Sequence, residues 1–154
     1  MKILVCTDGS EQSQKALAKA STLAEGCRTK EVGLIHVCEG KLDPRYFSAW
    51  GGKTDTVTEE DIAYLKKRYQ KEKEKGKKIL QAAVEFFQDR GIATKAILEE
   101  GQPSLAIIKI ASEEEYDTIV IGSRGLSGLK KLFLGSVSSA VLQEAKDCTV
   151  VVVK

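Results

Sequence analysis

Short runs of consecutive apolar residues alternate along this chain with longer stretches whose apolar residues recur at helical spacing. The first run, Lys2-Ile-Leu-Val-Cys-Thr7, has an unbroken apolar centre and stops at Asp8-Gly9-Ser10. A strand buried on both faces reads this way, because neither face needs polar residues. From Ser10 or Ser13, each able to cap a helix, the pattern turns helical to about Glu25. Ala16, Leu17, Ala20, Leu23 and Ala24 form its inner face, and Gly26 ends it. Glu31 to Cys38 is the second strand. An irregular insert over 39–58 follows, carrying Tyr46, Phe47 and Trp50, placed over the core or a dimer seam. A helical pattern then runs from about Glu59 to Arg90. It is amphipathic only in its second half, through Ile79, Leu80, Ala83, Phe86 and Phe87, and Gly91 ends it. Ala93–Leu98 reads as strand three, and Pro103 opens a helix to about Glu115. Asp117–Ile121 is strand four, a helix covers about Ser136 to Ala145, and Thr149–Val153 is strand five.

Short apolar strands separated by helices place the chain in the α/β class, an open parallel five-stranded sheet with helices on both faces. Right-handed crossovers leave few topologies, and the order 3-2-1-4-5 is expected. It sets strands one and four side by side, with the chain running outward from them in opposite directions. Their carboxyl ends then open a crevice, the usual ligand position in such sheets. Thr7-Asp8-Gly9 and the stretch opening at Gly122 meet there. Strand five is left at an edge. Edge strands are normally blunted by charge, proline or a bulge. Thr149-Val-Val-Val-Val153 has none of these before Lys154, so it is expected to pair antiparallel with its own copy across a two-fold axis.

Residues 122 to 136 read GSRGLSGLKKLFLGS, with four glycines where a buried strand stops. Glycine loses the most backbone entropy on folding, so a cluster marks unusual dihedrals or a close approach. Phosphate binding needs backbone N–H groups pointing inward and a helix N-terminus aimed at the charge. Gly122 and Gly125 let the chain turn after strand four, and Gly135 starts a helix on Ser136-Val137-Ser138-Ser139. Arg124, Lys130 and Lys131 add positive charge. Two commoner phosphate patterns are absent. Gly122 and Gly128 enclose five residues where the Walker pattern needs four, and Leu129 stands in its lysine position. No G-x-G-x-x-G follows strand one.

The spacing Gly122-x2-Gly125-x9-Gly135-Ser136 resembles the nucleotide-binding signature of the universal stress protein family, in its ATP-binding branch. The likeness spans the chain, from Thr7-Asp8-Gly9-Ser10 through His36-Val37 to the last strand of valines. One departure is Asp147-Cys148-Thr149, where members usually carry proline; it bears on stability. The resemblance implies a Rossmann-like fold of the adenine nucleotide alpha hydrolase-like type, a homodimer and ATP as ligand, with magnesium or manganese carried on the triphosphate. It implies that Asp8 lies near the adenosine or a metal-bound water, and that Val37 offers its backbone to adenine. Ile121 and Gly122 would line the floor, while Arg124, Gly125, Gly135, Ser136, Val137 and Ser138 surround the phosphates. Thr7 and Ser123 complete the expected set. An aspartate after a strand also commonly caps the next helix, so both roles of Asp8 stay open.

A length of 154 residues fits one domain over 1–154, and 42% hydrophobic against 30% charged residues describes a folded chain rather than a disordered one. No apolar run reaches the length of a membrane span, and MKILVCTDGS reads as a strand rather than a signal peptide. The expected location is the cytoplasm. A net charge of +2 implies no polyanionic partner, so neither nucleic acid nor a membrane surface is expected. The run Lys66–Lys78, with eight basic and two acidic residues, reads as a solvated helix face, with an unidentified acidic protein partner as the alternative. Cys6, Cys27, Cys38 and Cys148 form no C-x-x-C pair, and His36 has no metal-ligand neighbour in sequence. Cys6 and Cys38 end neighbouring strands and read as buried thiols.

Three functions follow from different classes. The first is a regulatory module that binds ATP in stress response. The second is a slow ATPase or phosphotransfer enzyme, disfavoured because Asp8 is the only acid seen close to the motif. A phospho-receiver domain would need an acidic pair after strand one and an aspartate ending strand three, where this chain has Leu98-Glu99-Glu100. The third is an interaction scaffold that works without nucleotide, through the aromatic insert and the basic helix.

Overall fold

The computed structural model describes residues 1–39, 58–125 and 134–154, and there each apolar run forms a strand. These are β1 (Ile3–Cys6), β2 (Glu31–Cys38), β3 (Ala93–Glu100), β4 (Thr118–Gly122) and β5 (Thr149–Val153). They pair in parallel, in the order β3-β2-β1-β4-β5. Helices alternate with them: α1 (Glu11–Gly26), α2 (Glu59–Gln88), α3 (Pro103–Glu113) and α4 (Ser136–Glu144). The insert bearing Tyr46, Phe47 and Trp50, and the loop bearing Gly128, Leu129, Lys130 and Lys131, lie outside the described residues. Among those described, no helix is long and apolar enough to cross a membrane.

Both faces of β1 are covered, as its unbroken apolar run requires. Successive strand residues point to opposite faces. Ile3 and Val5 join Leu17, Ala20, Leu80 and Phe87 under α1 and α2. Leu4 and Cys6 join Ile110, Tyr116 and Val141 under α3 and α4. Burying each such large side chain is worth about 1.5–3 kcal/mol, so the sheet centre carries most of the fold's apolar stabilisation. At the edge, Val150 and Val152 pack on one cluster and Val151 and Val153 on the other, and all four stay half-buried.

The helix starts follow their capping residues. Ser10, not Ser13, caps α1: its Oγ accepts from Ser13 N at 3.1 Å. Thr58 and Asp61 form a reciprocal capping box on α2, Asp61 N to Thr58 Oγ1 at 3.1 Å and Thr58 N to Asp61 Oδ2 at 2.9 Å. The helix ends fall within two residues of expectation, but the turns beyond them do not all use glycine. Gly91 turns the chain after α2 with φ 68°, but after α1, α3 and α4 the left-handed positions are Arg28, Glu115 and Asp147, at φ 50°, 54° and 57°. A helix that stops at Gly26 therefore still needs a strained residue two positions later. β3 runs two residues past Leu98, held where Gly101 N donates to Cys38 O at 3.1 Å.

Gly33, mid-β2, is open for a different reason. A Cβ built there would fall inside the Tyr116 hydroxyl and 2.6 Å from its Cζ. Tyr116 is 3% exposed and lies under the Lys2 ammonium, which is 4.5 Å from the ring centroid. The ring has nowhere to go. Gly33→Ala is expected to destabilise the protein by about 1–3 kcal/mol, the usual range for overpacking a filled core. Urea unfolding measures this, and a cost under about 0.5 kcal/mol would show that the ring relaxes freely.

Candidate functional site

β1 and β4 run side by side, Ile3 against Thr118 and Val5 against Val120, and their C-terminal ends open into a cavity of about 480 Å³. From the β1 side come Thr7 and Asp8. Thr7 N extends the sheet by donating to Ile35 O at 2.9 Å. The Asp8 carboxylate accepts from Ser10 N through Oδ1 at 2.9 Å, so Asp8 fixes the turn while Ser10 does the capping. From the β4 side come Ile121, Gly122, Arg124 and Gly125, and from the start of α4 come Gly135, Ser136, Val137 and Ser138. Val37 lines the cavity from β2. Ser123 alone of the expected residues stands behind the wall rather than on it. It is 3% exposed, its Oγ has no partner among the described residues, and its main chain holds the site together. Ser123 N donates to Val153 O at 2.6 Å, while Ser123 O accepts from Gly135 N at 2.8 Å and from Ser138 Oγ at 3.0 Å. One carbonyl thus pins α4 to the end of β4.

The glycines here serve closeness rather than unusual dihedrals. Neither Gly122, Gly125 nor Gly135 has a positive φ, unlike Gly9 at 79°. A Cβ on Gly122 would stand 2.9 Å from the Gln12 carbonyl carbon of α1, and one on Gly125 would stand 2.6 Å from Asp8 Oδ2. Gly125 therefore brings the β4 loop against the β1 loop. Gly135, the N-cap of α4, contributes no side chain, and the first helical bond is Ser139 N to Gly135 O at 2.9 Å. The N–H groups of Ser136, Val137 and Ser138 precede that bond and lie outside the helical ladder. Together with the helix dipole and Arg124 they favour an anion. The Ser138 hydroxyl is engaged with Ser123 O and with Gly135 O, also at 3.0 Å, so it braces the turn.

Several cavity residues were not legible as such. His36 Nδ1 lies 2.8 Å from Thr7 O. A carbonyl only accepts, so Nδ1 carries the proton and ties the ends of β1 and β2 together. Glu39, Glu72, Lys75 and Ile79 also line the cavity. Asp8 is thus not the only acid present, and the Lys66–Lys78 run is not wholly a solvated face. Its exposure pattern gave no sign of this, because Glu72 and Lys75 remain exposed while bordering the cavity. Among the described residues, no cluster of His, Cys, Asp and Glu is placed to hold a metal ion.

The model of the universal stress protein family matches residues 1–154. Universal stress protein YxiE of Bacillus subtilis is 35% identical, covering 99% of this chain and 98% of that protein. The solved structure of protein MJ0577, from Methanocaldococcus jannaschii, is 31% identical with a TM-score of 0.77, covering 99% of this chain and 94% of that one. A universal stress protein of Archaeoglobus fulgidus, solved in complex with dAMP, shares the fold at 24% identity and a TM-score of 0.66, covering 100% of this chain and 98% of that one.

Two thiols, Cys6 and Cys38, also border the cavity, and all four cysteines are free. Burial, and then the Asp8 charge, pushes the Cys6 thiol well above its ordinary range. Burial raises Cys38 too, with Glu100 and Glu72 adding to it, and burial raises Cys148. A raised pKa leaves less thiolate at a given pH, and the thiolate is the nucleophile. At mildly alkaline pH, iodoacetamide is expected to label exposed Cys27 first, Cys148 more slowly, and Cys6 and Cys38 only on unfolding. Peptide mass spectrometry reads the order; early labelling of Cys6 would mean that the cavity floor opens to solvent.

Proposed function

This chain belongs to the universal stress protein family, and we propose that it binds ATP at the ends of β1 and β4 as a regulatory ligand in stress response. The observation that carries this is the pairing of chemistries in one cavity. Arg124 and the open first turn of α4 suit phosphate, while Ile35, Ile107 and Ile121 offer an apolar floor for a flat base. The A. fulgidus protein that shares the fold was solved with dAMP, which supports a nucleotide as the ligand class. Asp8 would sit beside the sugar and phosphates, and Val37 beside the base. Magnesium or manganese would ride mainly on the triphosphate, since Asp8, whose Oδ2 faces Gly125, already gives its other oxygen to Ser10 N.

We read the site as a binder rather than a hydrolase. Phosphoryl transfer needs a positioned water as well as charge stabilisation. His36 stands on β2, two strands from β4 and the α4 N-terminus, and Asp8 gives one of its carboxylate oxygens to its own turn. Titration calorimetry with ATP and magnesium is expected to give a micromolar-range Kd, with ATP rather than ADP recovered afterwards. Gly125→Val puts carbon 2.6 Å from Asp8 Oδ2 and is expected to abolish the heat. No heat from the parent, or equal heat from the variant, would overturn the reading.

We propose further that β5 pairs with its copy in a homodimer. Its valines are half-buried along an edge that, among the described residues, carries no strand on its outer side. Light scattering is expected to give twice the 16.8 kDa chain mass, and Val151→Lys the chain mass alone. A monomer mass for the unaltered protein would contradict this.

A further inference from the structure

Charge is spread very unevenly over this chain. Residues 66–78 of α2 hold eight basic and two acidic residues, whereas the rest of the chain holds sixteen basic and twenty acidic. A molecule of net charge +2 thus concentrates its positive excess on about four turns of one helix. Within the run, Lys73 holds Glu100 and Lys77 holds Glu74, each at 2.8 Å. Lys67, Lys71 and Lys78 are exposed and form no ion pair among the described residues. Spacings of four and seven residues set these three on one stripe of α2. The inner side of the helix is fixed by buried Gly76, Leu80, Ala83 and Phe87. A Cβ on Gly76 would stand 2.7 Å from His36 Cδ2, so α2 lies directly on the end of β2 there. Glu72, Lys75 and Ile79, on the flank, form part of the cavity wall. The lysine stripe faces away from the sheet.

Lys67, Lys71 and Lys75 follow one another four residues apart, where like charges on a helix repel. The carboxylate beside them, Glu74, is taken by Lys77. The fold therefore carries a repulsion that a partner of opposite charge relieves. We infer that this outer face of α2 docks a short acidic segment of a protein partner. The stripe itself sets the length. From Lys67 to Lys78 it runs about 16 Å, at 1.5 Å per residue. Seven residues further out at either end the same stripe turns acidic, at exposed Glu60 and Glu85. A nucleic-acid strand or an anionic membrane is negative along its whole extent, so it would lay phosphates against those two carboxylates. Such like-charge contacts reject a partner. Carboxylates on about three turns of a partner helix meet the three ammoniums and stop short of both acidic ends.

Binding to the full chain tests this with three probes. One is a labelled acidic peptide of about 12 residues repeating Glu-Ala-Ala-Glu, sized to the stripe. The others are a labelled oligothymidylate long enough to overrun it, and vesicles of phosphatidylcholine with phosphatidylserine. By fluorescence anisotropy the peptide is expected to bind with a Kd below about 100 μM at low salt, and added salt weakens it. Lys67→Glu, Lys71→Glu and Lys78→Glu combined are expected to cost about tenfold or more. Lys19→Glu, Lys30→Glu and Lys146→Glu combined make the same charge change at exposed lysines elsewhere, and stay within about twofold of the parent. Melting curves like the parent's show that both variants fold. If the second variant loses as much as the first, net charge alone drives binding and the inference fails. It fails as well if the parent ignores the peptide, or if the same three lysines hold the oligonucleotide or the vesicles more tightly.

Discussion

The side-by-side pairing of β1 with β4 is the constraint on which the rest of this structure depends. Ile3, Leu4 and Val5 stand in register with Thr118, Ile119 and Val120, and the apolar members are fully buried. With the chain leaving these strands in opposite directions, α1 and α2 cover one face and α3 and α4 the other. Among the described residues the chain diverges from the shared carboxyl ends, which leaves a gap there. The Asp8 turn, the Gly122 and Gly125 contacts and the first turn of α4 all sit around that gap.

The same pairing explains the glycines. Two loops leaving adjacent parallel strands about 4.8 Å apart compete for the same space. Gly125 gives way to the Asp8 carboxylate, and Gly122 gives way to the first turn of α1. Ser123, between them, turns its main chain outward to β5 and α4. The loop thereby gains a fixed frame without needing left-handed backbone at any of the three positions. On the opposite side Gly76 plays a matching part, letting α2 settle on β2 so that its polar residues overhang the cavity.

The fold was legible in the sequence because its strands are buried on both faces, and a run such as Ile3-Leu-Val-Cys6 admits few other readings. The β4–α4 side of the cavity was legible for a related reason: glycine and serine clustered at the end of a buried strand mark a backbone that others must approach. The α2 wall was not legible. Glu72 and Lys75 belong to a run whose composition matches any solvated helix, and only the close approach at Gly76, a long-range contact with His36 and Cys38, sets them over the cavity. His36 is similar, since its tie to Thr7 O spans 29 residues. The left-handed residues beyond the helix ends, Arg28, Glu115 and Asp147, were not legible because strain carries no compositional mark when the residue is not glycine.

The central claim is that a nucleotide occupies the gap between the ends of β1 and β4. Backbone amide NMR of the full chain, titrated with ATP and magnesium, tests it most directly. The account predicts shifts concentrated at Thr7 and Asp8, at Val37, and at the amides of Gly122, Gly125 and Ser136 to Ser138, with the N-terminal ends of the strands unmoved. Saturating ATP that leaves these amides in place, or that moves a different surface instead, would contradict it.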